Sequence, residues 1–195
     1  MKKAAVFLAD GFEEVEALTP VDYLRRAGVE VITVAVPSPT TKKDDIVTGS
    51  HKISVIADTT LDEYLSKYDS ELPDMVFCPG GSRGAENLSN CELLLSHLEK
   101  CFDGGKFVSA ICASPAVVLG KTKIPEGKRW TCYPGMQSES RENYQIKYEN
   151  KVFVTDGSLI TARGAGAAEE FAMELVRLLC GEEIAKKIHD GTVQR

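Results

Sequence analysis

One cysteine stands where an apolar run meets the start of a helix. Cys112 follows the run Phe107 to Ile111, and Pro115 comes shortly after it. Because proline is favoured in a first helical turn, we predict that a helix begins at Ala113 or Ser114. The free N–H groups and the dipole at a helix N-terminus favour a thiolate, so we expect a lowered pKa for Cys112. A nucleophile elbow with a reactive thiolate is one interpretation, and a small buried core residue is the other.

A second loop carries groups that could assist such a thiolate. Gly80 and Gly81 follow an apolar strand that ends at Cys78, and the N–H groups of such a loop can bind an oxyanion. A tight strand-to-helix turn is the alternative explanation of this pair. Since the carboxyl ends of parallel strands share one edge of a sheet, we expect this loop, Cys112 and the loop after Ala9 to converge.

Acidic residues begin the first predicted helix. We expect Glu13 and Glu14 to be favourable partners of the helix dipole. Glu16 differs, because its spacing allows the side chain to point towards the converging loops. A carboxyl group buried beside a thiolate would have a raised pKa, remain protonated, donate a hydrogen bond to sulfur and shuttle protons.

The composition restricts the class of protein. With 195 residues and 43% hydrophobic content, the chain can bury one core, so we predict a single domain over residues 1–195. The net charge is −6 and the basic residues are scattered, so the sequence lacks the basic patch that binds nucleic acid or an anionic membrane. No run approaches the ~20 apolar residues that span a bilayer, and we expect a cytoplasmic protein. The six cysteines lack zinc-type spacing, which favours reduced thiols without a metal.

Strand-like and helix-like segments alternate along the chain. The stretch Pro37 to Asp58 is rich in turn formers, and its two short β pieces, around Ile46 to Thr48 and Ile53 to Ile56, predict a hairpin excursion. Gly120 to Asn150 is the least regular part. Such alternation predicts an α/β fold with a mainly parallel sheet and helices on both faces. The predicted strands are Lys3 to Ala9, Val29 to Val36, Met75 to Cys78, Phe107 to Ile111, and a hairpin of Val152 to Thr155 with Leu159 to Ala162. The predicted helices run from about Val15 to Gly28, Leu61 to Tyr68, Glu92 to Phe102, Ala167 to Cys180 and Glu182 to His189.

Five motifs in the same order give the chain a family resemblance. It resembles the ThiJ/PfpI superfamily, in the branch of the Parkinson-disease protein deglycase (DJ-one), through residues 9–17, 20–28, 79–88, 110–115 and 161–166. The resemblance implies a flavodoxin-like three-layer sandwich and a homodimer. It also implies an oxidation-sensitive nucleophile, Cys112, with Glu16 as its protonated partner.

The same resemblance suggests roles for four more residues. Gly81 and Ala113 would supply oxyanion N–H groups next to Cys112. Arg26 and Arg163 match family arginines around the site or the dimer interface, although either could also be a solvated charge.

The chain departs from the family pattern in its histidines. Tyr133 precedes Pro134 where many members have a histidine, and its role is open. His51, His97 and His189 do not fall where the resemblance would put a catalytic histidine, so we do not expect a Cys–His dyad. The His-x-Glu of glutamine-hydrolysing relatives is absent as well, which leaves an amidase or peptidase as a minor alternative.

Two functions use the same pair of residues. The leading hypothesis is a cysteine-dependent enzyme, without a cofactor, that acts on reactive carbonyls or glycated groups. It would convert methylglyoxal to lactate, or remove early glycation adducts from proteins. The alternative is a redox-sensing, chaperone-like stress protein in which Cys112 is oxidised without turnover. An inert ligand-binding domain is the third possibility.

Overall fold

The computed structural model describes residues 1–39, 41, 45–68 and 71–194, so part of the predicted turn-rich stretch lies outside the described residues. The described strands are β1 (Lys3–Leu8), β2 (Glu30–Ala35), β3 (Ile46–Thr48), β4 (Ser54–Ile56), β5 (Thr59–Thr60), β6 (Met75–Cys78), β7 (Phe107–Ile111), β8 (Phe153–Asp156) and β9 (Leu159–Ala162). The described helices are α1 (Glu14–Arg26), α2 (Leu61–Tyr68), α3 (Ser82–Ser89), α4 (Glu92–Asp103), α5 (Ser114–Val117), α6 (Glu142–Gln145), α7 (Ala168–Cys180) and α8 (Glu182–Gly191).

A mainly parallel sheet is the centre of the described structure. Its strand order is β5-β2-β1-β6-β7-β9-β8, and β8 alone runs antiparallel, as the partner of β9 in the hairpin predicted from Asp156 and Gly157. Strands β1, β6 and β7 are direct neighbours, with Ala4 beside Met75 and Met75 beside Phe107. Their carboxyl ends therefore meet at one edge, which confirms that the loops after Ala9, Cys78 and Ile111 converge.

Helices cover both faces of this sheet, because successive side chains of each central strand point to opposite faces. In β1, Val6 and Leu8 belong to the core beneath α1, α7 and α8, whereas Ala5 and Phe7 belong to the core beneath α2, α3 and α4. The two buried cores make the three layers of a flavodoxin-like α/β sandwich, as predicted. None of the described helices is both long and apolar enough to cross a membrane.

Three elements near the site differ from the sequence-based prediction. Helix α3 was not predicted, because its apolar stripe is limited to residues such as Ala85 and Leu88 among polar neighbours. Strand β5 is too short to show an alternating pattern, and it pairs with the end of β2. Helix α5 begins at Ser114 as predicted but has four residues, after which the chain turns through a 3₁₀ segment, Leu119–Lys121.

The predicted hairpin excursion is confirmed as a separate two-stranded sheet of β3 and β4. Glu14 attaches it to α1, because the backbone N–H of His51 donates to Glu14 Oε1 over 2.8 Å and Ser50 Oγ donates to Glu14 Oε2 over 3.2 Å. Glu14 lies in the first turn of α1, as expected of a helix-dipole partner, but it is also buried and holds the hairpin. The reason is tertiary: the hairpin folds back over the first turn of α1 and uses this carboxylate as an acceptor.

Candidate active site

Cys112 occupies a strained turn between β7 and α5. Its φ of 64° lies in the left-handed region, which costs a non-glycine residue roughly 1–2 kcal/mol. Two backbone hydrogen bonds hold this conformation: the Cys112 N–H donates to the Ala162 carbonyl over 2.9 Å, and the Cys112 carbonyl accepts from the Tyr133 N–H over 2.8 Å. The strand, turn and helix start match the predicted nucleophile elbow, and such strain is common at functional sites.

Side-chain and backbone hydrogen bonds tie the elbow to the neighbouring loops. Ser114 Oγ donates to the Pro79 carbonyl over 2.5 Å, which links α5 to the loop after β6. The Glu13 N–H donates to the Gly80 carbonyl over 3.0 Å, which links that same loop to the start of α1. The three loops therefore form one hydrogen-bonded unit at the edge of the sheet.

Glu16 lies inside this unit, with 1% of its surface exposed. Its Oε2 accepts from the Gly80 N–H over 3.0 Å, and its carboxyl group also hydrogen-bonds Cys112 and the Ala165 backbone. Burial raises the pKa of Glu16 to about 7, although the hydrogen bonds from Cys112 and Gly80 act in the opposite direction. The carboxyl group can therefore carry a proton close to neutral pH.

The pKa of Cys112 shifts in the direction opposite to our prediction. Burial and the negative charge of an ionised Glu16 raise it, and the N–H groups of Gly81 and Ala113 lower it by a smaller amount. We expected a helix N-terminus to dominate, but α5 has four residues and its summed dipole is correspondingly small. The direction of the pKa shift is instead set by the burial of the thiol and by the negative charge of the neighbouring Glu16 carboxylate.

Glycine is required in the loop after β6 for two different reasons. A Cβ on Gly80 would lie 2.5 Å from Cys112 Cβ and closer still to Glu16 Oε2, so a side chain cannot fit between the pair. Gly81 has a φ of 86°, a conformation that favours glycine, and this turns its N–H towards the Cys112 sulfur. The close approach of this loop to the elbow thus depends on both residues.

An open cleft of about 1230 Å³ leads to the half-buried Cys112. Its walls include Gly81 and Tyr133, and Tyr133 is 52% exposed. Sequence reasoning missed three further residues of the wall, namely His51, Lys52 and Arg83. For His51 and Lys52 the available signal was the position of the predicted hairpin after β2, because a chain that leaves β2 starts at the same sheet edge as the elbow. For Arg83 it was the place of this residue in the loop after β6.

The two arginines suggested by the family resemblance do not line this cleft. Arg26 lies in the last turn of α1 and forms an ion pair with Asp22, with 2.6 Å between Nε and Oδ2. Arg163 has an exposed side chain, and its backbone N–H donates to the Val152 carbonyl over 3.0 Å. Neither side chain lines the cleft, and a role for these arginines around the site or at a dimer interface stays a prediction.

The histidines divide into one near the cleft and two elsewhere. His97 is buried, with Nε2 3.3 Å from Tyr64 Oη and 3.5 Å from Cys101 Sγ, and His189 lies on α8. His51 borders the cleft, with Nδ1 3.0 Å from Glu14 Oε2 and 3.4 Å from Glu13 Oε1. Ligand atoms of His51 and these two carboxylates lie within 4.8 Å of one another. Their hydrogen bonds to each other and to the hairpin account for this grouping without a metal ion.

Comparison with known proteins places the chain in a family. The profile described as the DJ-1/PfpI family matches residues 2–178, and the chain belongs to this family. The protein dj-1beta of Drosophila melanogaster is 35% identical over 190 residues, which cover 97% of this chain and 96% of that protein. A protein of Pyrococcus abyssi named as a deglycase is 28% identical over 91% of this chain and 99% of its own length.

Solved structures agree with this assignment. Drosophila melanogaster DJ-1beta superposes with a TM-score of 0.85 at 33% identity, covering 100% of this chain and 98% of that one. The oxidized form of Toxoplasma gondii DJ-1 gives a TM-score of 0.87 at 31% identity, covering 100% and 99% of the two chains. The fold and the family are therefore the same as those predicted from the sequence.

Gly80→Ala tests the close packing of the site. Because the new methyl group overlaps Glu16 and Cys112, we expect a loss of about 1–3 kcal/mol in the free energy of unfolding, measured by urea denaturation. Gly191→Ala is the matched control, since a Cβ there meets no atom within 4 Å. Equal stability of the two variants would contradict the described contact.

Glu16→Gln tests the raised pKa through the pH dependence of stability. Below the ordinary pKa of 4.5, Glu16 is protonated in both folded and unfolded chains. Between pH 4.5 and about 7 the unfolded chain loses this proton while the folded chain keeps it, so the wild type loses stability as pH rises. Between pH 4.5 and about 7, we expect the free energy of unfolding of the wild type to fall by about 3 kcal/mol relative to that of Glu16→Gln. Urea denaturation at each pH measures this difference.

Glu14→Gln is the control of opposite sign. Burial acts to raise the pKa of Glu14, but hydrogen bonds from His51 and the hairpin backbone outweigh it and lower the pKa. The wild type should therefore lose stability relative to Glu14→Gln as pH falls below 4.5. For Glu16, the contradicting result is a difference in unfolding free energy between the wild type and Glu16→Gln that stays constant from pH 4.5 to 7. Glu16 would then not have a raised pKa.

Proposed function

We propose that this protein is a cysteine-dependent enzyme that acts on reactive carbonyls without a cofactor, as a glyoxalase of methylglyoxal or as a protein deglycase. The observation that carries the proposal is the hydrogen-bonded contact between the buried Glu16 carboxyl group and Cys112 at the base of an open cleft. Membership of the DJ-1/PfpI family and the similarity to a protein named as a deglycase agree with this class of reaction.

Proton transfer within the pair generates the nucleophile. The thiol of Cys112 gives its proton to the ionised form of Glu16, and the thiolate is the minor form of the pair, because the pKa of Cys112 is raised and that of Glu16 is about 7. Once Glu16 is protonated, its negative charge no longer opposes the thiolate, and its O–H can donate a hydrogen bond to sulfur. The N–H groups of Gly81 and Ala113, which already face the sulfur, stabilise the same charge.

The carbonyl chemistry then needs one nucleophile and one proton carrier. The thiolate adds to the aldehyde carbon of methylglyoxal, and the resulting oxyanion takes the proton that Glu16 holds, which gives a hemithioacetal. The Glu16 carboxylate then removes the hydrogen of that carbon as a proton and returns it to the adjacent carbon, while the hydroxyl proton moves to the ketone oxygen, which converts the adduct to a thioester of lactate. Water hydrolyses the thioester, releasing lactate and the free thiol, with no external oxidant or reductant.

Lactate formation from methylglyoxal tests this proposal. We expect Cys112→Ala to abolish turnover and Glu16→Gln to lower kcat by roughly 10²–10⁴, the range for loss of a general acid–base. Cys91→Ala is the control, because Cys91 is another partly exposed cysteine and does not line the cleft. If Cys112→Ala formed lactate at the wild-type rate, the proposal of a cysteine-dependent enzyme would be refuted.

A redox role for Cys112 is the second candidate function. The same N–H groups and the protonated Glu16 could hold the oxygens of a sulfinate, and one structural relative is described as oxidized. Intact mass measurement and peptide mapping after mild peroxide should locate added oxygen at Cys112 before the other five cysteines. Earlier oxidation of any other cysteine would count against this role.

A further inference from the structure

Two cations of the cleft are not engaged by the protein itself. Lys52 and Arg83 both line the cleft that contains Cys112, and both have exposed side chains. Across residues 1–39, 41, 45–68 and 71–194, neither cation has a carboxylate oxygen within 4.0 Å. Some cations elsewhere on the surface are paired, such as Arg129 with Glu149 and Arg177 with Glu174.

The carboxylates of the same cleft are already hydrogen-bonded. Asp10 accepts from the Thr48 N–H over 2.9 Å, and Glu13 accepts from Ser50 Oγ over 3.0 Å. The carboxylates therefore have hydrogen-bond donors beside them, whereas the Lys52 ammonium and Arg83 guanidinium groups have no hydrogen-bond acceptor among the described residues. Such an arrangement favours a ligand with a negative charge over a neutral or positive one.

Backbone structure fixes where these cations are presented. Lys52 has a φ of 72° in the turn between β3 and β4, and its N–H donates to the Gly49 carbonyl over 3.1 Å. The buried Glu14 anchors this turn to α1. Arg83 lies in the first turn of α3, two residues after Gly81, whose N–H faces the Cys112 sulfur. The cations thus approach the cleft from two different elements.

We propose that Lys52 and Arg83 bind a carboxylate on the substrate, so that the cleft selects carbonyl compounds that carry a negative charge. The inference rests on the proposed function, because it assumes that Cys112 is the nucleophile. It narrows the substrate class from reactive carbonyls in general to oxo-acids and to carbonyl groups near a carboxylate.

Alkylation by two reagents of similar size tests this selectivity. Iodoacetate carries a carboxylate and iodoacetamide is neutral, and in both reactions the Cys112 thiolate displaces iodide from a CH₂ group. The ratio of the two second-order rate constants at Cys112 cancels any change in the thiolate fraction, because both reagents consume the same thiolate. We expect Arg83→Gln and Lys52→Gln each to lower the iodoacetate-to-iodoacetamide ratio by about threefold at low salt.

Two further variants control the experiment. Arg129→Gln changes the net charge by the same amount away from the cleft, so the ratio should stay at the wild-type value. Arg83→Lys keeps the charge and should largely retain the ratio. Added salt should reduce the wild-type ratio, because ions screen charges at the protein surface.

The two ways of failing are distinguishable. If iodoacetamide does not label Cys112 at neutral pH, the proposed nucleophile is wrong and the proposed function fails. If iodoacetamide labels Cys112 but Arg83→Gln and Lys52→Gln leave the ratio unchanged, the proposed function stands and the charge selectivity is overturned. An equal fall of the ratio in Arg129→Gln would also overturn the charge selectivity of the cleft, because the change in net charge alone would then explain the fall.

Discussion

The contact of Glu16 with Cys112 and the Gly80 N–H is the interaction on which the site depends. Glu16 is buried and Cys112 is half-buried, and ionising both would place two negative charges next to each other. The low-dielectric surroundings make that state costly, so the pair holds at least one proton over the neutral range. In the proposed function, the reactivity of the thiol therefore depends on where this proton lies.

The architecture explains how such a contact is maintained. Strands β1, β6 and β7 are adjacent, so the residues that follow them meet without long connections. Gly80 removes the side chain that would separate Glu16 from Cys112, and the hydrogen bond from Ser114 to Pro79 holds the two loops together. The left-handed conformation of Cys112 is the local cost, and the surrounding backbone hydrogen bonds offset it.

The sequence predicted this part of the site because each residue follows an apolar strand of a parallel sheet, where topology alone brings loop residues together. It did not predict that Glu14 is buried or that His51 and Lys52 border the cleft. Those positions depend on the hairpin folding back over α1, a long-range contact with no local periodicity. The direction of the Cys112 pKa was mispredicted for a related reason: it depends on burial and on the length of α5, which the apolar pattern after Pro115 does not reveal.

The exposed cations connect the chemistry of the pair with the selectivity of the cleft. Among the described residues, the cleft offers Lys52 and Arg83 as positive charges without a carboxylate within 4.0 Å. A positive wall stabilises the singly ionised Glu16–Cys112 pair as well as an anionic ligand, because both place negative charge at the base of the same cleft. A bound carboxylate would neutralise that wall and reduce its support for the thiolate. Substrate charge and nucleophile strength are thus coupled through the same two side chains.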